Sequence, residues 1–348
     1  MIILDNQKSS WIDVVKICSV GGVVLQHVRG YIYTNDNIFY SLWWVVALFI
    51  MIGGYNAMVS FEKRGKVLVK KRICGILIPY FFATILYTLY DNRFLNATEV
   101  LVRLLHFDAT GPLYYVAVYV QLVLITPILI GIIKWCESDS KVLRFIVVWV
   151  GIMATCYATT HLTNLFDIPI GGGNLFAGPW LFFWFLGMFI ERCNIRVDST
   201  CRKIVVFVTH TVMIIAWQYI FVNKGLNLIL PPIFHGSEVG MTWANSIETI
   251  ILFFWFKELV EEIESIAGNV GKKILIPFTY MGQNTLYIFL YHMLFLSIYK
   301  MYFEVDSIGL NRCFCILFII CGPIMLEYII FLIRKWLKNI MQDVIVEG

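Results

Sequence analysis

Residues 113–133 read LYYVAVYVQLVLITPILIGII, an uncharged run closed by Lys134. A helix needs about 20 such residues to cross a hydrocarbon core of about 30 Å, and this run supplies them. Outward in both directions, apolar runs bounded by charges or turn residues recur. Their centres fall near residues 20, 49, 83, 124, 152, 182, 213, 249, 287 and 323. The fold this predicts is an all-α polytopic membrane helix bundle of about ten transmembrane helices.

The composition agrees. Of 348 residues, 59% are hydrophobic and 14% charged, with a mean hydropathy of +0.77. An ordinary soluble domain is about 45–50% apolar and about 25% charged. A water-soluble globule, a disordered chain and a disulfide scaffold are therefore excluded. The net charge of +4 is too small to suggest a nucleic-acid partner. The nine cysteines, among them Cys18, Cys74, Cys156, Cys313, Cys315 and Cys321, lie mostly in apolar runs as small hydrophobic thiols. They show no metal-ligand spacing, so no metal is expected. No small-residue cleavage site follows the first apolar run, which reads as a retained span.

Basic residues sort by side. Twenty lie in one alternating set of segments: Lys8, the run Lys63, Arg64, Lys66, Lys70, Lys71, Arg72, then Lys134, Lys141, Arg144, Arg192, Arg196, Arg202, Lys203, Lys257, Lys272, Lys273, Arg334, Lys335 and Lys338. Six lie in the other: Arg29, Arg93, Arg103, Lys224, Lys300 and Arg312. The asymmetry puts both termini in the cytoplasm. Connections are short, the longest outer ones lying near 93–112 and 223–241, so residues 1–348 read as one transmembrane domain. Gly171, Gly172 and Gly173 read as a flexible outer turn.

The remaining basic residue, Lys16, lies inside the first span. Ionisable groups within spans are expensive and tend to mark function; here they are Asp13, Lys16, His27, His210, Glu248, His292 and Glu327. Lys16 and His27 are eleven residues and about 16 Å apart along a helix. Eleven steps of about 100° return to within about 20° of the start, and Asp13 falls within about 60° of both. The three form a polar stripe across most of the membrane. It either lines a passage, with an anionic cytosolic ligand at Lys16 and a reacting hydroxyl at His27, or it is structural. In the structural reading Lys16 snorkels to the inner headgroups, Asp13 pairs with it and His27 sits at the outer interface. His210, alone on an apolar span, reads as a satisfied structural histidine, and Glu248 and Glu327 have no assigned role.

The ninth span opens Gly282, Gln283, Asn284, Thr285 and reaches His292 on the face of Thr285. These residues fit either a site or close helix packing. Tyr114, Tyr115 and Tyr119 read as an interfacial aromatic belt. The run Lys63–Arg72 is either the positive-inside signal or a grip for the phosphates of a cytosolic donor.

Five segments in this order resemble acyltransferase family 3, whose integral membrane members move acyl groups, typically acetyl, onto carbohydrates and envelope polymers. WIDVVKICSVGGVVLQH (11–27) resembles the family's opening block of a cation followed by a His, with Lys16 where Arg is usual and His27 as the His. ALFIMIGGYNAMVS (47–60) resembles the second-span block, with Gly53 for Ser before Gly54 and Tyr55. KKRICGILIPYFF (70–82) keeps Arg72, Pro79 and Tyr80, with Gly75 where a second Arg is common. GPLYYVAVYVQLVLITPIL (111–129) resembles the fourth-span block, with Tyr114 for Trp and Pro127 kept. MGQNTLYIFLYHM (281–293) matches the late block at Gly282, Asn284, Thr285 and His292.

The resemblance implies an O-acyltransferase taking acyl-CoA, in the simplest case acetyl-CoA, as donor. Lys16, Lys71 and Arg72 would hold the donor's phosphates. His27 would be the general base on a hydroxyl of a carbohydrate or glycolipid acceptor. Asp13, Tyr55, Tyr115, Asn284 and His292 are substrate or oxyanion candidates. The implied location is the bacterial cytoplasmic membrane, among its lipids, as a multi-pass protein. Lys16 keeps the charge of the usual Arg but loses its bidentate fork. A small-molecule transporter and a non-catalytic membrane protein on the same fold are the alternatives. Outer aromatics, Tyr31, Tyr33, Phe107, Trp180 and Phe234, suit stacking on sugar rings.

Overall fold

A computed structural model describes residues 10–137, 141–165, 175–194, 200–224, 243–303 and 308–347. The glycines at 171–173, Lys8, Phe234 and most of the outer connection at 223–241 lie outside the described residues. Every regular element among the described residues is helical; one isolated bridge pairs Arg29 with Tyr33. Each of the ten centres read from hydropathy falls inside a different helix. These helices are α1 (Ser10–His27), α3 (Trp44–Arg64), α4 (Val69–Asn92), α6 (Tyr114–Cys136), α7 (Lys141–Leu165), α8 (Leu181–Arg192), α9 (Thr200–Lys224), α10 (Trp243–Gln283), α11 (Thr285–Tyr302) and α12 (Ile308–Glu347).

Five segments among the described residues are long and apolar enough to cross a membrane: Asp36–Arg64, Val69–Asn92, Gly111–Cys136, Val142–Thr159 and Gly309–Ile333. The other five centres lie on helices that are shorter or more polar. Helix α8 has 12 residues, and α1 and α11 carry the ionisable groups singled out above. Residues on α7 (Val142, Leu143, Val150), α9 (Val205, Val212, Ile215) and α12 (Leu317, Met325, Phe331) are exposed. So large an apolar surface suits lipid and not water.

Two short helices were not expected. Helix α2 (Asp36–Tyr40) opens on Asn35 and α5 (Ala97–His106) on Asn96, whose side chain accepts from the Thr98 and Glu99 amides. The second places a ten-residue helix inside the outer connection read at residues 93–112. On α5, Leu101, Val102 and Leu105 are exposed, while Arg103 pairs with Asp91 at 2.5 Å and Glu99 at 2.9 Å. The Tyr80 hydroxyl ties α4 to it by donating to the Leu104 carbonyl at 3.0 Å.

Helix α1 packs against α10, α3 and α11, and α3 against α8. The α3–α8 contact brings backbones together: a methyl on Gly54 would sit 2.0 Å from the Trp184 carbonyl oxygen, and one on Gly187 1.9 Å from that of Met51. Small residues permit this approach, which drives helix association where the hydrophobic effect cannot. Trp184 is fully buried and donates to the Thr126 hydroxyl at 3.1 Å. Arg192 joins the ends of α8, α6 and α3 through Glu137 (2.5 Å) and Glu62 (3.2 Å). These carboxylates, Glu137 first, raise the guanidinium pKa still further above its ordinary value. Helix α10 breaks at Gly268 (φ 50°) and folds back, so that Gly271 packs on the Ile263 carbonyl.

Candidate functional site

The sequence candidates separate into two layers along α1. In the inner layer Lys16 Nζ lies 2.8 Å from the carboxylate of Asp13, which is 2% exposed. The Gln283 amide donates to the same carboxylate at 3.4 Å. Helix α1 and the end of α10 can meet here because Gly282 has no side chain: a methyl there would sit 2.0 Å from the Asp13 carbonyl oxygen. A buried ion pair is tolerable where its charges cancel and hydrogen bonds complete it. Below it Trp11 packs edge-on against Tyr55 (5.2 Å) and Phe253 (5.3 Å). Lys257 lies 5.8 Å over the Trp11 ring, and Ser10 bonds Glu264.

The second layer is built around two imidazoles. His27 closes α1, and its ring centroid lies 5.3 Å from that of His292. The end of α1 is anchored by Gln26, which donates to the Leu42 carbonyl at 3.0 Å, and by Tyr33, which donates to the Leu25 carbonyl at 3.0 Å. His292 is 1% exposed, and His27 is half-buried. His27, read as either a site residue or an outer-interface residue, thus contacts the buried His292 of α11. Phe289 packs on His292 at 6.2 Å and on Tyr115 at 5.1 Å. Tyr115 therefore borders this layer, also touching Phe49 and Tyr119.

The layers do not mix. Tyr55 packs on Trp11, sixteen residues and about 24 Å of helix from His27. Asn284 lies eight residues and about 12 Å before His292, and its side chain donates to the Tyr280 carbonyl at 2.9 Å. Of the three oxyanion candidates, Tyr115 borders the imidazoles through Phe289, while Tyr55 and Asn284 lie in the inner layer.

Among the expected donor-binding cations, Lys71 is exposed and Arg72 half-buried at the start of α4. Arg72 uses one of its five N–H donors on the Asn56 carbonyl at 2.8 Å, which fixes its direction. Lys63, Arg64, Lys66 and Lys70 are exposed around it. Lys16 is engaged by Asp13, as the i, i+3 spacing implied.

His210 faces Glu258 at 3.0 Å, so it is a satisfied histidine. Glu248 is buried, and Glu327 half-buried. Two residues escaped the sequence reading. Glu258 sits among other acidic residues of α10 and carried no signal of its own. Tyr87, in an apolar run of α4, reaches α11: its hydroxyl donates to the Leu290 carbonyl at 3.0 Å and accepts from the Leu294 amide at 3.1 Å. No group of three or more His, Cys, Asp or Glu able to hold a metal occurs among the described residues.

Membrane-length helices around a buried ion pair and an imidazole pair define a multi-pass membrane protein with a polar interior site. The chain matches acyltransferase family 3, described as an acyltransferase domain, over residues 9–331, nearly its whole length, and belongs to that family. It is thus a membrane acyltransferase. Neither a curated protein nor a solved structure matches it.

Proposed function

We propose that the protein transfers an acyl group, in the simplest case acetyl, from cytosolic acyl-CoA to a hydroxyl of a carbohydrate or glycolipid acceptor. The acceptor is extracytoplasmic or lipid-linked. The setting is the bacterial cytoplasmic membrane, crossed ten times with both termini in the cytoplasm. The observation that carries this is the half-buried His27 against buried His292, with Lys16, paired to Asp13, eleven residues and about 16 Å away along α1.

The chemistry follows from the residues. The exposed lysines before α4, with Arg72, suit the phosphates of a CoA ester. His27 takes the acceptor proton as its oxygen attacks the thioester carbonyl, and the proton then passes to the leaving thiolate. A neutral imidazole suits the task because its ordinary pKa lies near neutrality. Of the three oxyanion candidates, Tyr115 is the one bordering the imidazoles, through Phe289, and it would donate to the oxyanion.

The test uses inverted membrane vesicles from cells overproducing the protein, which expose the cytoplasmic face and contain their own acceptors. Radiolabelled acetyl-CoA is expected to leave base-labile label in the envelope fraction. Label no higher than in vesicles lacking the protein would overturn the reading.

A further inference from the structure

His292 is buried, yet one of its ring nitrogens is unused. Nδ1 lies 2.7 Å from the Phe289 carbonyl oxygen. A carbonyl only accepts, so Nδ1 carries the proton and Nε2 of the neutral ring presents a lone pair. Nε2 is fully buried and has no hydrogen-bond partner among the described residues. Such orphaned acceptors are rare in folded proteins. The neighbouring polar ring is His27, 5.3 Å away and tilted by 44°. Imidazoles joined edge to edge by an N–H···N bond have centroids ~5 Å apart for a donor–acceptor distance of ~3 Å, a separation that the two rings already have.

The surroundings hold His292 for this contact. The Tyr87 hydroxyl touches the Leu290 carbonyl and the Leu294 amide, the two groups that an i→i+4 bond joins in a helix. That turn contains His292. Tyr87 is itself buried, so α4 fixes the turn of α11 that aims the imidazole.

We infer that His292 positions His27: its Nε2 lone pair receives the N–H of the His27 ring, leaving the opposite His27 nitrogen unprotonated toward the acceptor hydroxyl, while Tyr87 holds the turn. This rests on the acyl-transfer reading. His27 then gains the acceptor proton on one nitrogen and keeps the other proton shared with His292. The oxygen–acyl bond forms, the acyl–sulfur bond breaks, and the gained proton leaves with the thiolate. His292 touches neither substrate, and its part resembles that of the third residue that orients a base in hydrolytic triads.

The test compares His292→Ala, His292→Gln, His292→Asn, Tyr87→Phe and His27→Ala in the inverted vesicles with labelled acetyl-CoA, at equal amounts of monodisperse protein. A Gln side chain places an acceptor where Nε2 stands; an Asn side chain places one where Nδ1 stands. His292→Ala is expected to lower kcat at least tenfold, within the range of general-base effects, with KM for acetyl-CoA unchanged. His292→Gln should recover most of that loss and His292→Asn little, and Tyr87→Phe should lose severalfold. Equal rates for the Gln and Asn variants, or full activity in the Ala variant, would overturn the positioning role while leaving His27 as base. If the Ala variant does not fold, the Gln and Asn pair decides. Full transfer by His27→Ala would instead overturn His27 as the base, and this inference with it, whereas wild-type label no higher than in vesicles lacking the protein would overturn the acyl-transfer reading itself.

Discussion

His27 and His292, from opposite ends of the chain, place their ring centroids 5.3 Å apart. One belongs to the last residue of α1 and is half-buried; the other lies seven residues into α11 and is 1% exposed. The contact turns two polar helix faces into one layer with an accessible and an enclosed side. A base needs this combination, an open side for its substrate and a closed side that fixes its ring.

The backbone contact of α3 with α8 predicts that Gly54→Ala destabilises the protein. The added methyl meets the Trp184 carbonyl oxygen, and overpacking of this kind costs about 1–3 kcal/mol. Gly131, with nothing within 4 Å, is the control. Thermal unfolding in detergent should show a lower Tm for Gly54→Ala and none of that loss for Gly131→Ala. Equal Tm values would contradict the contact.

The inner ion pair predicts an asymmetry. Asp13 is 2% exposed and Lys16 18%, so Lys16→Met strands a buried carboxylate whereas Asp13→Asn leaves an ammonium that can reach solvent. Losing one partner of a buried pair costs up to about 3–5 kcal/mol. Thermal melts should rank Lys16→Met below Asp13→Asn, with the double variant close to Asp13→Asn. Additive losses would show that the two side chains act independently.

How far such contacts can be read beforehand differs between residues. Helical periodicity put Asp13, Lys16 and His27 on one stripe, and the seven-residue step put Thr285 and His292 on one face, because both are local geometry. The meeting of the two faces is a tertiary event with no local signature. The same holds for Tyr87, since a tyrosine in an apolar run reads as belt or packing until its hydroxyl is seen on α11. Helix α5 did leave a signal: Asn96 three residues before Glu99 is a helix start, obscured by the reading of the segment as a loop. That Tyr55 and Asn284 lie in a different layer from the imidazoles was not legible, because polarity and span position carry no depth along the partner helix.

Donor binding at α4 predicts a KM effect. Arg72→Ala and Lys71→Ala should each raise KM for acetyl-CoA severalfold, with kcat changed less, and added salt should shrink the difference because charge–phosphate attraction is screened. Initial rates in vesicles at varied donor concentration and ionic strength check this. An unchanged KM would remove these cations from the donor site.

The central claim is that His27 is the base of an acyl transfer, and His27→Ala tests it most directly. In vesicles supplied with labelled acetyl-CoA, base-labile label in the envelope fraction is expected to fall by about 10²-fold or more, with the variant still folded and monodisperse. Label at the wild-type rate would contradict the account.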